Sequence, residues 1–187
     1  MIEFVGQDGI LRSSIVGNVT RRVGNPPQVT NLPHKGMPRP EIRMLVDSLD
    51  EAFDRKSWHG PNLRSSLRGV TAAQAAWRPR PGRHNIWELT LHAAYWKYVA
   101  RRKLTGGKRG GFPLKGRNFF SRPAGEPREF DWKADIAILE SEHRSLRAAV
   151  AALASASPRT LHLIRGVAAH DLYHAGQIRL LRRLQEG

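Results

Sequence analysis

The chain has 187 residues, 40% of them hydrophobic, no cysteine, and 31 Lys and Arg against 16 Asp and Glu, a formal net charge of +15. That length suits one buried core with appendages rather than two ordinary domains, and the lack of cysteine excludes disulfides, thiolate zinc clusters and thiol nucleophiles. No run approaches the roughly 18 uncharged apolar residues of a membrane span, and the first forty residues hold no apolar stretch of signal-peptide length, so no membrane partner and a cytoplasmic location are expected.

Residues 1 to 38 carry Asn25, Pro26, Pro27, Pro33, Gly36 and Pro38 with little periodicity, which predicts a flexible leader. Met37 offers an alternative start just before the first helical pattern, and residues 39 to 187 are expected to form the folded domain. The first helix begins at Pro40, a residue favoured in the first turn, and continues through Met44, Leu45, Leu49, Ala52 and Phe53 until near Trp58, where Gly60 and Pro61 follow. Two short helical pieces, Leu63 to Leu67 and Thr71 to Trp77, make a bent connection ended by Pro79 and Pro81.

The second long helix has a strong start signal, Asn85 as N-cap with Glu88 three residues on in capping-box position; one turn before His92, Glu88 is alternatively placed to accept an imidazole N–H, the cap being favoured. Its inward face includes Trp87, Leu91, His92, Ala94, Tyr95 and Tyr98, and it should end before Gly106. Thr105 to Phe130 then runs for 26 residues with six Gly and three Pro, far longer than the usual link between antiparallel bundle helices. At about 3.3 Å per residue it can traverse a whole helix, so the second and third helices are predicted to be parallel. The third helix starts after Asp131 as N-cap and ends at Ser155 to Pro158. The fourth runs from about Thr160 to Gln185, with Val167, His170, His174, Ile178 and Leu181 on one stripe. With no strand signal, repeat or phosphate loop, the fold class is all-α, a four-helix bundle with one long crossover.

His170 and His174, four residues apart, lie on one helix face, where two imidazoles can close on one metal ion. Chance alone gives roughly 0.3 such pairs in a chain of this composition, so the surroundings decide. Both sit on the core-facing stripe, where burying two imidazoles is costly unless something satisfies their lone pairs. His92, inward on another helix, is the candidate third ligand, and three protein ligands leave coordination positions open for catalysis. Asp171 points about 100° from His170, which favours a salt bridge over ligation. Gln177 is placed to hydrogen-bond near the site and Gly176 to let helices approach closely, while Tyr95, Trp96 and Tyr173 either line a pocket or fill the core, the core being favoured. His59 fits a solvated turn at least as well as a cavity mouth. No serine occupies a strained strand-to-helix turn, so Ser-His-Asp catalysis has no support.

From Lys97 to Arg128 there are ten basic residues and one acid, Glu126. The stretch is rich in Gly and Pro instead of the aromatics that stack on bases, so specific nucleic-acid binding is not expected. A role in drawing an anionic ligand to the cavity mouth is.

The segment Asn-Ile-Trp-Glu-Leu-Thr-Leu-His-Ala-Ala-Tyr-Trp around His92, with His-Asp-Leu-Tyr-His-Ala-Gly-Gln-Ile from His170 to Ile178 and Leu67-Arg68-Gly69-Val70-Thr71 to Ala76-Trp77-Arg78-Pro79 upstream, resembles the DinB/YfiT superfamily over roughly Pro40 to Leu184. The resemblance implies an up-down-down-up bundle in which His92, His170 and His174 hold a divalent ion, zinc or nickel. It further implies a metal-dependent enzyme acting on a small molecule, with a low-molecular-weight thiol as co-substrate in an S-transferase or detoxifying reaction. A metal-dependent hydrolase is the alternative activity, and a non-catalytic, metal-stabilised basic protein binding nucleic acid the alternative of another class. A homodimer is left open.

Overall fold

A computed structural model describes residues 39 to 186, and among these every regular element is helical. The expected leader lies outside the described residues. The helices are α1 (Pro40–Phe53), α2 (Leu63–Ser66), α3 (Ala72–Ala76), α4 (Ile86–Thr105), α5 (Glu129–Ala151) and α6 (Pro158–Glu186). Each start reflects its own chemistry. Asn62 and Thr71 cap α2 and α3 in reciprocal capping boxes with Ser65 and Gln74, and Asn85 accepts from the Glu88 amide at 2.8 Å to open α4. Gly106 closes α4 in the left-handed conformation, φ +68°, which a residue without Cβ adopts freely.

Three boundaries differ from the expectation. Helix α1 stops at Phe53, because the following chain turns instead to place the Arg55 carbonyl on the Asn62 amide at 2.7 Å. Helix α5 starts at Glu129 with Arg128 as an N-cap whose side chain caps no backbone amide, and Asp131 is inside the first turn, its carboxylate paired with the Arg128 guanidinium at 2.6 Å. Helix α6 begins at Pro158 rather than Thr160. Ser157 Oγ accepts from the Thr160 amide at 3.1 Å, and proline, read from sequence as a stop, stands in the first turn where its missing N–H costs nothing.

Contacts between the long helices give their directions. Trp87 of α4 donates its indole N–H to Asp135 of α5 at 2.8 Å, and Arg101, further along α4, pairs with Glu142, further along α5, so the two run the same way. Helix α6 runs opposite to α4, since His92 meets His174 while Lys97 meets Asp171. Helix α1 runs opposite to α5, with Phe53 stacked on His143 and Asp50 bound to Arg147.

The crossover between α4 and α5 lies back along α4. Tyr98 Oη accepts from the Gly111 amide, Trp96 Nε1 donates to Asn118 Oδ1, and Asn85 Nδ2 donates to the Arg122 carbonyl. Its Phe112 and Phe120 join Tyr98, Trp87 and Trp132 in one apolar cluster, while Leu45, Leu49, Leu146, Val150 and Ile164 form a second at the other end.

Candidate metal centre

Helix α4 presents His92 and the neighbouring α6 presents His170 and His174, and the three imidazoles converge. His92 Nε2 lies 3.1 Å from His170 Nε2, and His174 Nε2 lies 3.0 Å from the same atom. The far nitrogens fix the protonation. His92 Nδ1 is 3.0 Å from the Asn118 carbonyl and His174 Nδ1 is 2.7 Å from Gln177 Oε1, both acceptors, so each Nδ1 carries the proton and each Nε2 a lone pair. His170 Nε2 can donate to only one of these. At least one lone pair is therefore left without a donor, and His170 Nδ1 is buried with no partner. A cation at the point where the three nitrogens meet removes the conflict. Zinc held at about 2.0–2.1 Å by three imidazoles spaces their nitrogens about 3.3 Å apart, close to what is seen. The residues fit a divalent ion.

Electrostatics favour the same state. Burial pushes His92 down to about 4 and His170 down to about 3, and also lowers His174, so all three rings are neutral near pH 7. Phe119, from the crossover, stacks on His92 at 4.0 Å and on His84 at 3.6 Å. Behind the site the buried Lys97 ammonium pairs with Asp171, the residue next to His170.

The triad lines a cavity of about 690 Å³. The segment before α4 contributes Arg80, Arg83 and His84 to its lining, and α6 contributes Tyr173, Leu180, Leu181 and Leu184. His84 is oriented by Glu88, 2.9 Å from its Nδ1. Burial alone would raise the Glu88 carboxyl, but hydrogen bonds from Arg78 and His84 outweigh it and hold the group below the ordinary carboxylate range.

Residues 57–178, about two thirds of the chain, match the family model of the DinB superfamily. The chain belongs to the DinB superfamily. No curated protein and no solved structure is detectably similar. The matched span of this DinB chain contains all three histidines, and begins after α1 rather than at Pro40.

The structure thus brings together His92, His170 and His174 with Gln177, and gives Asp171 its salt bridge. Other expectations fail. The Glu88 side chain does not close a capping box, because the Arg78 guanidinium and His84 draw it away from the Asn85 amide. Gly176 faces open space instead of a helix contact. Tyr173, which lines the cavity, is 64% exposed and Trp96 38% exposed, so neither fills the core; His59, by contrast, is the solvated turn residue that its sequence context allowed, exposed and outside the cavity lining. The 97–128 segment contributes only Phe119 to this cavity, so its cations do not form the mouth. Sequence reasoning overlooked His84, Phe119 and the Asn118 carbonyl. The His84–Glu88 spacing of four was a readable signal; the carbonyl had none, since its place depends on how the crossover folds.

Proposed function

We propose that this protein is a metal-dependent enzyme of the DinB superfamily, in which His92, His170 and His174 hold a zinc or nickel ion and a low-molecular-weight thiol is transferred to an electrophilic small molecule. The observation that carries the reading is the convergence of three neutral imidazole nitrogens, two oriented by acceptors on their far side, at the floor of an open cavity. A divalent ion bound there would supply Lewis acidity, favouring the thiolate over the thiol at neutral pH.

The protein's own groups do the rest. Asn118 and Gln177 keep Nε2 of His92 and His174 deprotonated and aimed at one point. Arg80 and Arg83 attract and orient an anionic group of the thiol or its partner, while Leu180, Leu181 and Leu184 cover an apolar portion and exclude water. A cytoplasmic location goes with this reading, since that compartment keeps small thiols reduced.

The test is metal analysis of untagged protein together with thiol transfer to a generic electrophile, in metal-loaded and chelated samples. About one divalent ion per chain, lost in His174→Ala along with the transfer activity, is expected. A protein without metal after supplementation, or equal rates in loaded and chelated samples, would overturn the proposal.

A further inference from the structure

A second cavity, of about 650 Å³, lies between α4 and the crossover and shares no lining residue with the cavity over the triad. The ten cations from Lys97 to Arg128 fall into two groups around it. Lys97, Arg101, Arg122 and Arg128 are each neutralised by a carboxylate, from Asp171, Glu142, Asp135 and Asp131. Among the described residues the other six make no ion pair, and five of them, Arg102, Lys103, Arg109, Lys115 and Arg117, line this one cavity, whose walls contain no Asp or Glu. Like charges gathered in a concavity repel one another, and a multiply charged anion relieves that repulsion.

One wall is aromatic. Trp96 is 38% exposed, and its indole N–H is held by Asn118 Oδ1 at 3.1 Å, which fixes the plane of the ring. Tyr95 stands beside it, ring centroids 6.1 Å apart. An oriented, accessible indole next to unpaired guanidinium groups is a platform for a flat ring that carries negative charge. The cavity has the size of a site for one small molecule and is not an extended track.

We propose that this cavity binds a small aromatic polyanion of the nucleoside phosphate class, its phosphates against Arg109, Lys115 and Arg117 and its ring against Trp96. The site shares no lining residue with the triad's cavity, meets the triad through the edge contacts of Trp96 with His92 and His170, ring centroids 6.3 Å apart, and needs no metal. Calorimetric titration of the full-length, metal-free protein with ADP, pyrophosphate and adenosine tests it.

ADP should bind at low ionic strength, with an affinity that falls as salt rises, and adenosine should not. Arg109→Gln/Arg117→Gln should weaken ADP by about tenfold or more, as expected for loss of two charge-assisted contacts, and Trp96→Ala should weaken ADP more than pyrophosphate. His174→Ala should leave ADP binding unchanged, which separates this site from a nucleotide held at the triad. No ADP binding at low salt, equal binding by the double variant, or loss in His174→Ala would overturn the proposal. So would tight binding of a single-stranded oligonucleotide where ADP fails, which would mark a nucleic-acid surface.

Discussion

Among the described residues Lys97 and Asp171 are the charges most completely withdrawn from water, and Asp171 keeps one oxygen, Oδ1, without a hydrogen-bond partner. Burial raises its carboxyl above the ordinary range, and the Lys97 ammonium opposes that rise. Removing one partner strands the other in the core, so Lys97→Met should lose on the order of 3–5 kcal/mol in urea unfolding. Lys97→Met/Asp171→Leu should recover most of it; a double variant no better than the single one would mean that the pair is not the source of the loss. His143 is a second buried group with an orphan, its Nδ1, and it stacks on Phe53 at 3.7 Å. Burial, helped by Lys97 and Arg147, pushes it down from 6.5 to about 3. The unfolded chain therefore binds the proton first, and stability is lost as pH falls from about 6.5 towards about 3. Between pH 7 and pH 5 His143→Phe should lose about 2 kcal/mol less than the parent protein, since each pH unit below 6.5 is worth up to about 1.4 kcal/mol per histidine. Equal losses in the two proteins would refute this.

Helix α4 is the element on which the molecule is organised, because it carries His92, Lys97 and Trp96 and receives the crossover along its length. Its start was legible from Asn85, yet that side chain does more than cap. It accepts from the Glu88 amide while its Nδ2 donates to the carbonyls of Ala76 and Arg122, tying three segments at one point. Asn85→Ala should therefore cost roughly 2 kcal/mol or more, at or beyond the upper end for a cap alone. Hydrogen exchange should locate the weakening in the first turn of α4 and around Arg122; a loss confined to α4 would show that the two carbonyl bonds contribute little. The starts of α5 and α6 were less legible because proline and aspartate each serve at two or three neighbouring positions of a helix start. The end of α1 was less legible for another reason, since it depends on the turn in which the Asn62 side chain binds the Arg55 carbonyl.

For the whole molecule, the all-α class was legible from helical periodicity without any strand signal, and the parallel relation of α4 and α5 from one number, the length of the Gly- and Pro-rich connection. His170 and His174 stood out by their spacing and stripe, and His92 by its inward face and the family resemblance. What sequence did not yield was the division of the basic stretch, because the carboxylate that takes a cation can lie far along the chain, as for Lys97 with Asp171 and Arg101 with Glu142. No helix among the described residues is long and apolar enough to cross a membrane. If the triad takes a divalent ion, native protein gains about 2.7 kcal/mol at a free metal concentration of 100 Kd. A rise in Tm on adding zinc or nickel, absent in His92→Ala, is the expected result, and equal shifts in both proteins would place the metal elsewhere. The Asn118 carbonyl, at a residue held at φ +70°, sets which nitrogen of His92 bears its proton. The smallest transplantable unit of this site is consequently two helices plus a loop. A designed bundle that copied only the three histidines would leave the His92 ring free to turn over, and would assemble the right atoms with one of them facing the wrong way.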